Sequence, residues 1–289
     1  MYKKKSLGQH FLQSKAYLNA VADAADIKKG ELVLEIGPGE GALTEVLLDR
    51  GARVVAIEKD HRLIAVLTEK FAKEIANKKF TLLEDDALTF AFAGRDLLNK
   101  SLAQGLPVEA GLDDRRTEDP RGLLGSKPRP EKYNVVGNIP YYITGALIRK
   151  YLTEKKQPTT LVFLVQKEVA ERIAKSKKES ILSLSVKAYG VPIYVKTVPR
   201  GAFVPAPGVD SAILLVKNIS RKNFRNVKHE ELFFTLVKAG FAQKRKLLKR
   251  NIEKVLGNKT TELMEKAGIP AQARAEDVAL KQWLVLSNH

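Results

Sequence analysis

The sequence predicts an α/β protein: a doubly wound, largely parallel sheet followed by a small all-helical C-terminal domain. Three observations predict it. Short apolar runs alternate with segments of helical period over residues 31–165, the pattern of βαβ units. No internal repeat suggests a solenoid or propeller. Beyond about Ile219 the strand signal stops and only helical periodicity remains.

Taken in order, Ser14 is a plausible N-cap for a helix reaching about Asp26, with Tyr17, Leu18, Val21, Ala24 and Ala25 as its apolar stripe. Glu31–Ile36 reads as a buried strand, Gly41–Arg50 as a helix and Arg53–Glu58 as a second strand. Asp60–Ala76 reads as one helix and Phe80–Glu84 as a third strand. The alternation resumes with Tyr133–Gly137, a helix over Thr144–Leu152 and a strand over Thr159–Val165. Helices are expected over Lys167–Lys175 and Ile181–Tyr189, and strands over Val191–Pro199 and Val209–Val216. The tail reads as helices at His229–Ala239, Lys244–Leu256, Thr260–Lys266 and Glu276–Leu286. These limits divide the chain into residues 1–218, carrying the sheet, and residues 219–289. Between Gly94 and Pro130 the pattern lapses into Gly, Pro and mixed charge. A connection that long inside a compact domain reads as an insertion, a lid or a disordered loop.

The chain has 289 residues, 50 Lys+Arg against 33 Asp+Glu, and a formal charge of +17. Such an excess suits a polyanion, because neutralising phosphates releases counterions. No apolar run is long enough to span a bilayer, and no basic amphipathic helix with a bulky aromatic face suggests a membrane surface. With no cysteine, disulfides and thiolate metal sites are excluded, and a reducing cytoplasm is expected. The four histidines are too scattered for a metal site, so none is expected.

Glu35-Ile36-Gly37-Pro38-Gly39-Glu40-Gly41 ends a strand and opens a helix, where glycines let a ligand approach the backbone. Glu58, about 20 residues on at the next strand end, is spaced to accept from both ribose hydroxyls. Asp86, after the third strand, is placed to accept from an adenine amino group. The glycine pattern alone also suits a dinucleotide, or a mere tight turn. Glu40, however, would set a carboxylate beside a pyrophosphate at a helix N-terminus. A nucleoside cofactor without phosphate, S-adenosylmethionine, fits better.

Asn138-Ile139-Pro140-Tyr141 closes the strand Tyr133–Gly137. An adenine amine is a poor nucleophile because its lone pair is delocalised into the ring. Accepting hydrogen bonds from both N–H groups draws the nitrogen towards tetrahedral geometry. The Asn138 side-chain oxygen and the Ile139 carbonyl are the expected acceptors, Pro140 fixes the turn, and Tyr141 would stack on the base.

These motifs, with Leu7-Gly8-Gln9-His10-Phe11-Leu12, the segment Ala202–Ser211 and Phe241-Ala242-Gln243-Lys244-Arg245-Lys246, resemble the ribosomal RNA adenine N6,N6-dimethyltransferases. The resemblance spans nearly the whole chain except Gly94–Pro130. It implies a Rossmann-like, class I S-adenosylmethionine-dependent methyltransferase sheet. It also implies that His10 and Leu12 border the cofactor, with Gly37, Gly39, Glu58, Asp86 and Asn138 completing its site. Asparagine is common at the position of His10, and either residue can hydrogen-bond. By the family pattern Phe203 flanks the target adenine opposite Tyr141; Tyr142 could also line the pocket. The expected reaction is dimethylation of two adjacent adenosines near the 3′ end of small-subunit (16S) rRNA. The expected partner is an assembling 30S-type particle, met by a cytoplasmic monomer with no membrane partner. Lys244, Arg245, Lys246, Lys249 and Arg250 are the expected rRNA contacts, on a helix beginning at Lys244, and Lys3–Lys5 could form a basic arm. Two alternatives share the scaffold. One is a large-subunit rRNA adenine methyltransferase conferring macrolide resistance; the other is a non-catalytic RNA-binding assembly or transcription factor.

Overall fold

Seven strands form one mixed sheet in the computed structural model, which describes residues 10–91 and 132–289. The Gly94–Pro130 segment and the motif residues before His10 lie outside the described residues. The sheet strands are β2 (Leu32–Ile36), β3 (Arg53–Glu58), β4 (Phe80–Glu84), β5 (Tyr133–Asn138), β6 (Thr160–Gln166), β7 (Val191–Val198) and β9 (Ser211–Lys217), in the order β4-β3-β2-β5-β6-β9-β7. β4 to β6 run parallel, while β9 is antiparallel to both its neighbours. The chain winds outward from β2 through β3 to β4, then returns to lay β5 on the other side of β2. That reversal makes the carboxyl ends of β2 and β5 the switch point where doubly wound sheets bind ligands. The register sets Ile36 opposite Gly137, so Gly37 and Asn138 follow side by side.

The central strands are buried on both faces, and alternate residues feed two cores. Val33, Val54, Val136 and Val162 face a cluster with α1 (Lys15–Ala24), α2 (Ala42–Asp49) and α3 (His61–Lys70). Leu34, Ile36, Val135 and Phe163 face the other, with α5 (Thr144–Thr153), α6 (Lys167–Ala174) and α7 (Ile181–Tyr189). This second core runs on without a break into the tail helices α8 (Val227–Gly240), α9 (Leu248–Leu256), α10 (Thr260–Lys266) and α11 (Leu280–Leu286). It includes Phe233, Ile252 and the fully buried Trp283.

Four elements depart from the sequence expectation, one of them the helix expected over Glu276–Leu286, which is a 3₁₀ turn at Ala275–Asp277 followed by a helix only from Leu280. The helix expected over Asp60–Ala76 breaks at Phe71, leaving α3 and a short α4 (Ala72–Ala76). Phe71 is buried against Phe80, ring centroids 5.0 Å apart, and beneath Gly41. The helix expected from Lys244 starts at Leu248, so Lys244, Arg245 and Lys246 sit in a turn. The Asn251 side chain holds that turn by donating to the Gly240 and Gln243 carbonyls at 2.6 and 3.1 Å, while the Leu248 amide donates to Ala273. Finally, a two-stranded ribbon pairs β1 (Phe11–Leu12) with β8 (Phe203–Val204), antiparallel, with Leu12 opposite Phe203.

Candidate active site

The switch point opens into a cavity of about 370 Å³ lined by the β2–α2 turn, the ends of β3 and β4, the 138–143 segment and residues 10–13. Gly39 and Gly41 have φ of 61° and 80°, which side-chained residues rarely adopt. A Cβ on Gly39 would come within 2.8 Å of the Phe11 ring, and one on Gly41 within 2.5 Å of Phe71. The turn is therefore pressed between β1 and the α3–α4 break, with its backbone bared to the cavity.

Glu58 is 5% exposed. One oxygen accepts from the Lys59 and Asp60 amides at 2.9 and 2.8 Å; the other accepts a longer bond, 3.3 Å, from the Gly39 amide. Burial raises its pKa, against the pull of these amides. The carboxylate is thus fixed in direction with one oxygen only lightly used. Asp86 also lines the cavity, but its carboxylate is already engaged. It accepts from Lys59 Nζ at 2.7 Å and from the Leu88 amide at 2.9 Å, and the Lys59 bond leads in lowering its pKa. An incoming amine must therefore share or displace the exposed Lys59.

Glu35, within β2, is a third carboxyl on this wall, singled out only as part of its motif. It is 1% exposed and accepts from Thr44 Oγ1 at 2.7 Å. Burial first, and then Glu58, push its pKa up to about 7, against the Thr44 bond. Because that exceeds its ordinary value, the folded chain holds this proton more tightly than the unfolded one. The group's stabilising contribution is present in acid and is lost as pH rises towards about 7. Altogether Glu35, Glu40, Glu58, Asp60, Asp85 and Asp86 line the cavity against Lys59 and Arg62 as permanent cations. So acidic a wall repels pyrophosphate and suits a cationic nucleoside.

The other wall is the 138–141 tetrad. Asn138 Nδ2 donates to the His10 carbonyl at 2.7 Å, which fixes the carboxamide and leaves Oδ1 without a partner among the described residues. Ile139 is 2% exposed, anchoring the turn through its side chain. Pro140 (φ −57°, ψ 134°) leads into a single 3₁₀ turn, Tyr141–Ile143. The Tyr141 hydroxyl bonds Ser211 Oγ at 2.6 Å, tying the ring to β9, and the His10 ring lies over it, 6.1 Å between centroids and tilted 25°. His10 is in turn held by Nδ1 to the Pro205 carbonyl at 2.8 Å. The sequence assigns Ser211 no role, because its partner is 70 residues away.

His10, Leu12, Gly37, Gly39, Glu58, Asp86 and Asn138–Tyr141 all line this one cavity. Phe203 does not. It is 2% exposed, pinned opposite Leu12 in the β1–β8 ribbon and packed in the core beneath it. The expectation that it flanks the target base is corrected accordingly. Lys244, Arg245, Lys246 and Arg250 are exposed and Lys249 half-buried, and none of them lines the cavity. Arg245, Lys246, Lys249 and Arg250 form no ion pair among the described residues, while Lys244 lies near enough to Glu276 to influence it. Among the described residues no His, Asp and Glu cluster could hold a metal, and no helix is long and apolar enough to cross a membrane.

The family model for ribosomal RNA adenine dimethylase matches residues 1–289. Ribosomal RNA small subunit methyltransferase A of Dehalococcoides mccartyi is 39% identical over 284 residues, 97% of this chain and 86% of that protein. The protein of that name from Nostoc is 35% identical, covering 99% and 97% of the two chains. Among solved structures, the 23S rRNA methyltransferase ErmE superposes with a TM-score of 0.69 at 24% identity, over 96% of this chain and 98% of that one. A dimethyladenosine transferase from Plasmodium falciparum gives 0.69 at 23%, over 96% of each chain. At such identities the structural likeness concerns the fold alone.

Proposed function

The chain belongs to the ribosomal RNA adenine dimethylase family, and on that premise we propose how its cavity serves methyl transfer to N6 of adenosines in small-subunit rRNA. It is a methyltransferase of the Rossmann-like kind, and family and fold imply S-adenosylmethionine as its cofactor. The observation that carries the reading is Asn138. Its carboxamide, held by His10, aims a free oxygen into a cavity whose opposite wall is predominantly acidic, its Lys59 and Arg62 being paired with Asp86 and Asp60.

S-adenosylmethionine, when bound, supplies a methyl group on a cationic sulfur. For its binding, Glu58 offers an oriented carboxylate to the ribose hydroxyls, and Asp86 an acceptor to the adenine amine. The bared backbone of Gly37 and Gly39 admits the rest, with His10 and Leu12 as the border. For the substrate, Asn138 Oδ1 and the Ile139 carbonyl accept from the two N6 hydrogens, freeing the nitrogen lone pair. Pro140 fixes that carbonyl, and the Tyr141 face, steadied by Ser211, stacks on the base. Residues 1–218 carry this chemistry, and residues 219–289 extend an rRNA-binding surface. The enzyme acts as a monomer on an assembling small-subunit particle, adding two methyls to each of two adjacent adenosines.

The full-length relatives named for the small subunit favour this substrate over large-subunit rRNA. Supplying either assembling small subunits or protein-free large-subunit rRNA, then digesting to nucleosides for mass spectrometry, tests the choice. N6,N6-dimethyladenosine is expected from the first alone; its appearance only in the second would overturn the reading.

The basic turn and the start of α9 are proposed to meet the rRNA backbone. Replacing Lys244, Arg245 and Lys249 by Ala is expected to weaken RNA binding and flatten its salt dependence. The log–log slope falls by ~0.7 for each single-strand phosphate that is no longer neutralised. A slope equal to wild type would place the RNA-binding surface elsewhere.

A further inference from the structure

Tyr142 has no part in the chemistry just described, yet it stands at its door. Successive residues of a 3₁₀ turn point about 120° apart, so neighbouring rings of the Tyr141–Ile143 turn diverge. Tyr141 turns inward to Ser211, whereas Tyr142 is 73% exposed and its hydroxyl has no hydrogen bond among the described residues. Both rings line the same cavity. Among the described residues every other exposed large hydrophobic side chain is a valine, so Tyr142 is the one Tyr, Phe or Trp ring that is largely exposed. Lys59 lines the same cavity; its bond to Asp86 leads in raising its pKa, and the Tyr142 phenol adds to it.

An uncovered ring beside a slot for a flipped-out base has a natural occupant, because every nucleobase presents a π face. The target base is already served by Tyr141. The cofactor's adenine amine is served by Asp86. We propose that Tyr142 is a second nucleobase platform, stacking on the nucleotide next to the target adenosine and so setting which base of the strand enters the slot. This rests on the RNA-methylation reading above.

The test uses the full chain, S-adenosylmethionine and small-subunit particles, comparing Tyr142→Ala and Tyr142→Phe. Tyr142→Ala is expected to raise KM for the particle roughly 5- to 150-fold, the range that base–aromatic stacking spans, with a smaller change in kcat. Tyr142→Phe, which keeps the ring, should restore KM to within about twofold. Calorimetry should show equal cofactor affinity in all three proteins. In particles reconstituted with an abasic residue beside the target, the Tyr142→Ala penalty should vanish. An unchanged KM, a penalty that survives the abasic substitution, or a loss confined to cofactor affinity would each overturn the platform. Failure of the wild type to methylate any particle, despite binding cofactor, would instead sink the reading beneath it.

Discussion

Asn138→Ala is expected to lower kcat for methyl transfer by about 10²–10³-fold, the cost of removing one preorganised hydrogen bond from a transition state. The residue's position is what makes the loss large. Asn138 closes β5 beside the glycine turn, and its Nδ2–His10 bond at 2.7 Å orients Oδ1 before any substrate arrives. Nothing need reorganise as the amine pyramidalises. The substitution also releases the His10 carbonyl, so a structural explanation has to be separated from a chemical one. Asn138 is only partly buried at the strand end, and the β5 core residues Val135 and Val136 are untouched. The thermal unfolding midpoint should therefore move little and cofactor affinity only a few-fold, while turnover collapses. Near-normal kcat would remove Asn138 from its proposed role at the amine. Asn138→Asp is a sharper probe, because it keeps an acceptor but turns a second oxygen against the His10 carbonyl. It should fall between wild type and alanine.

How much of this is legible in the sequence depends on how local each cause is. β3 and β4 can be bounded from sequence because each is a short, mostly apolar run ending in an acidic residue, and α7 because Ser180 and Ser183 form a capping box at its start. The glycine turn and the tetrad are legible for the same reason: each is a contiguous string at a strand end. What escapes is set at a distance. The start of α9 is fixed by contacts from Asn251 and Ala273, which a helical reading from Lys244 cannot anticipate. The β1–β8 ribbon consists of residue pairs nearly two hundred positions apart, too short for any periodicity to betray. Aromatic character and the family pattern place Phe203 beside the base. That ribbon instead turns it into the core opposite Leu12. Lys59 is invisible in the sequence as the partner of Asp86, because a lysine between two acidic residues reads as ordinary surface charge.

Glu58 should carry the largest effect on cofactor binding, and the structure separates it from the neighbouring carboxyls. Glu35 is buried with its single bond to Thr44 and has a pKa pushed up to about 7, so near neutrality it is often protonated. Asp86 is kept ionised but spends its charge on Lys59. Glu58 alone is oriented by three backbone amides and keeps one oxygen lightly bonded, at 3.3 Å, towards the cavity. Hydrogen bonds to a charged group are worth about 1.5–3 kcal/mol each. Removing both ribose hydrogen bonds in Glu58→Ala should therefore weaken S-adenosylmethionine binding by about 10²–10⁴-fold, at about 1.4 kcal/mol per tenfold. Glu58→Gln retains one acceptor but aims an amide donor at backbone N–H groups, so it should weaken binding by about 10–10²-fold. Because the same carboxylate also steadies the Gly39 amide, a loose turn could mimic failed recognition. A cofactor analogue without the ribose 2′-hydroxyl resolves this in a double-mutant cycle. If Glu58 reads the diol, the analogue should bind the wild type poorly and lose less on Glu58→Gln than S-adenosylmethionine does. If the residue only shapes the turn, calorimetry should find the same penalty for both cofactors, and the proposed ribose recognition would have to be abandoned.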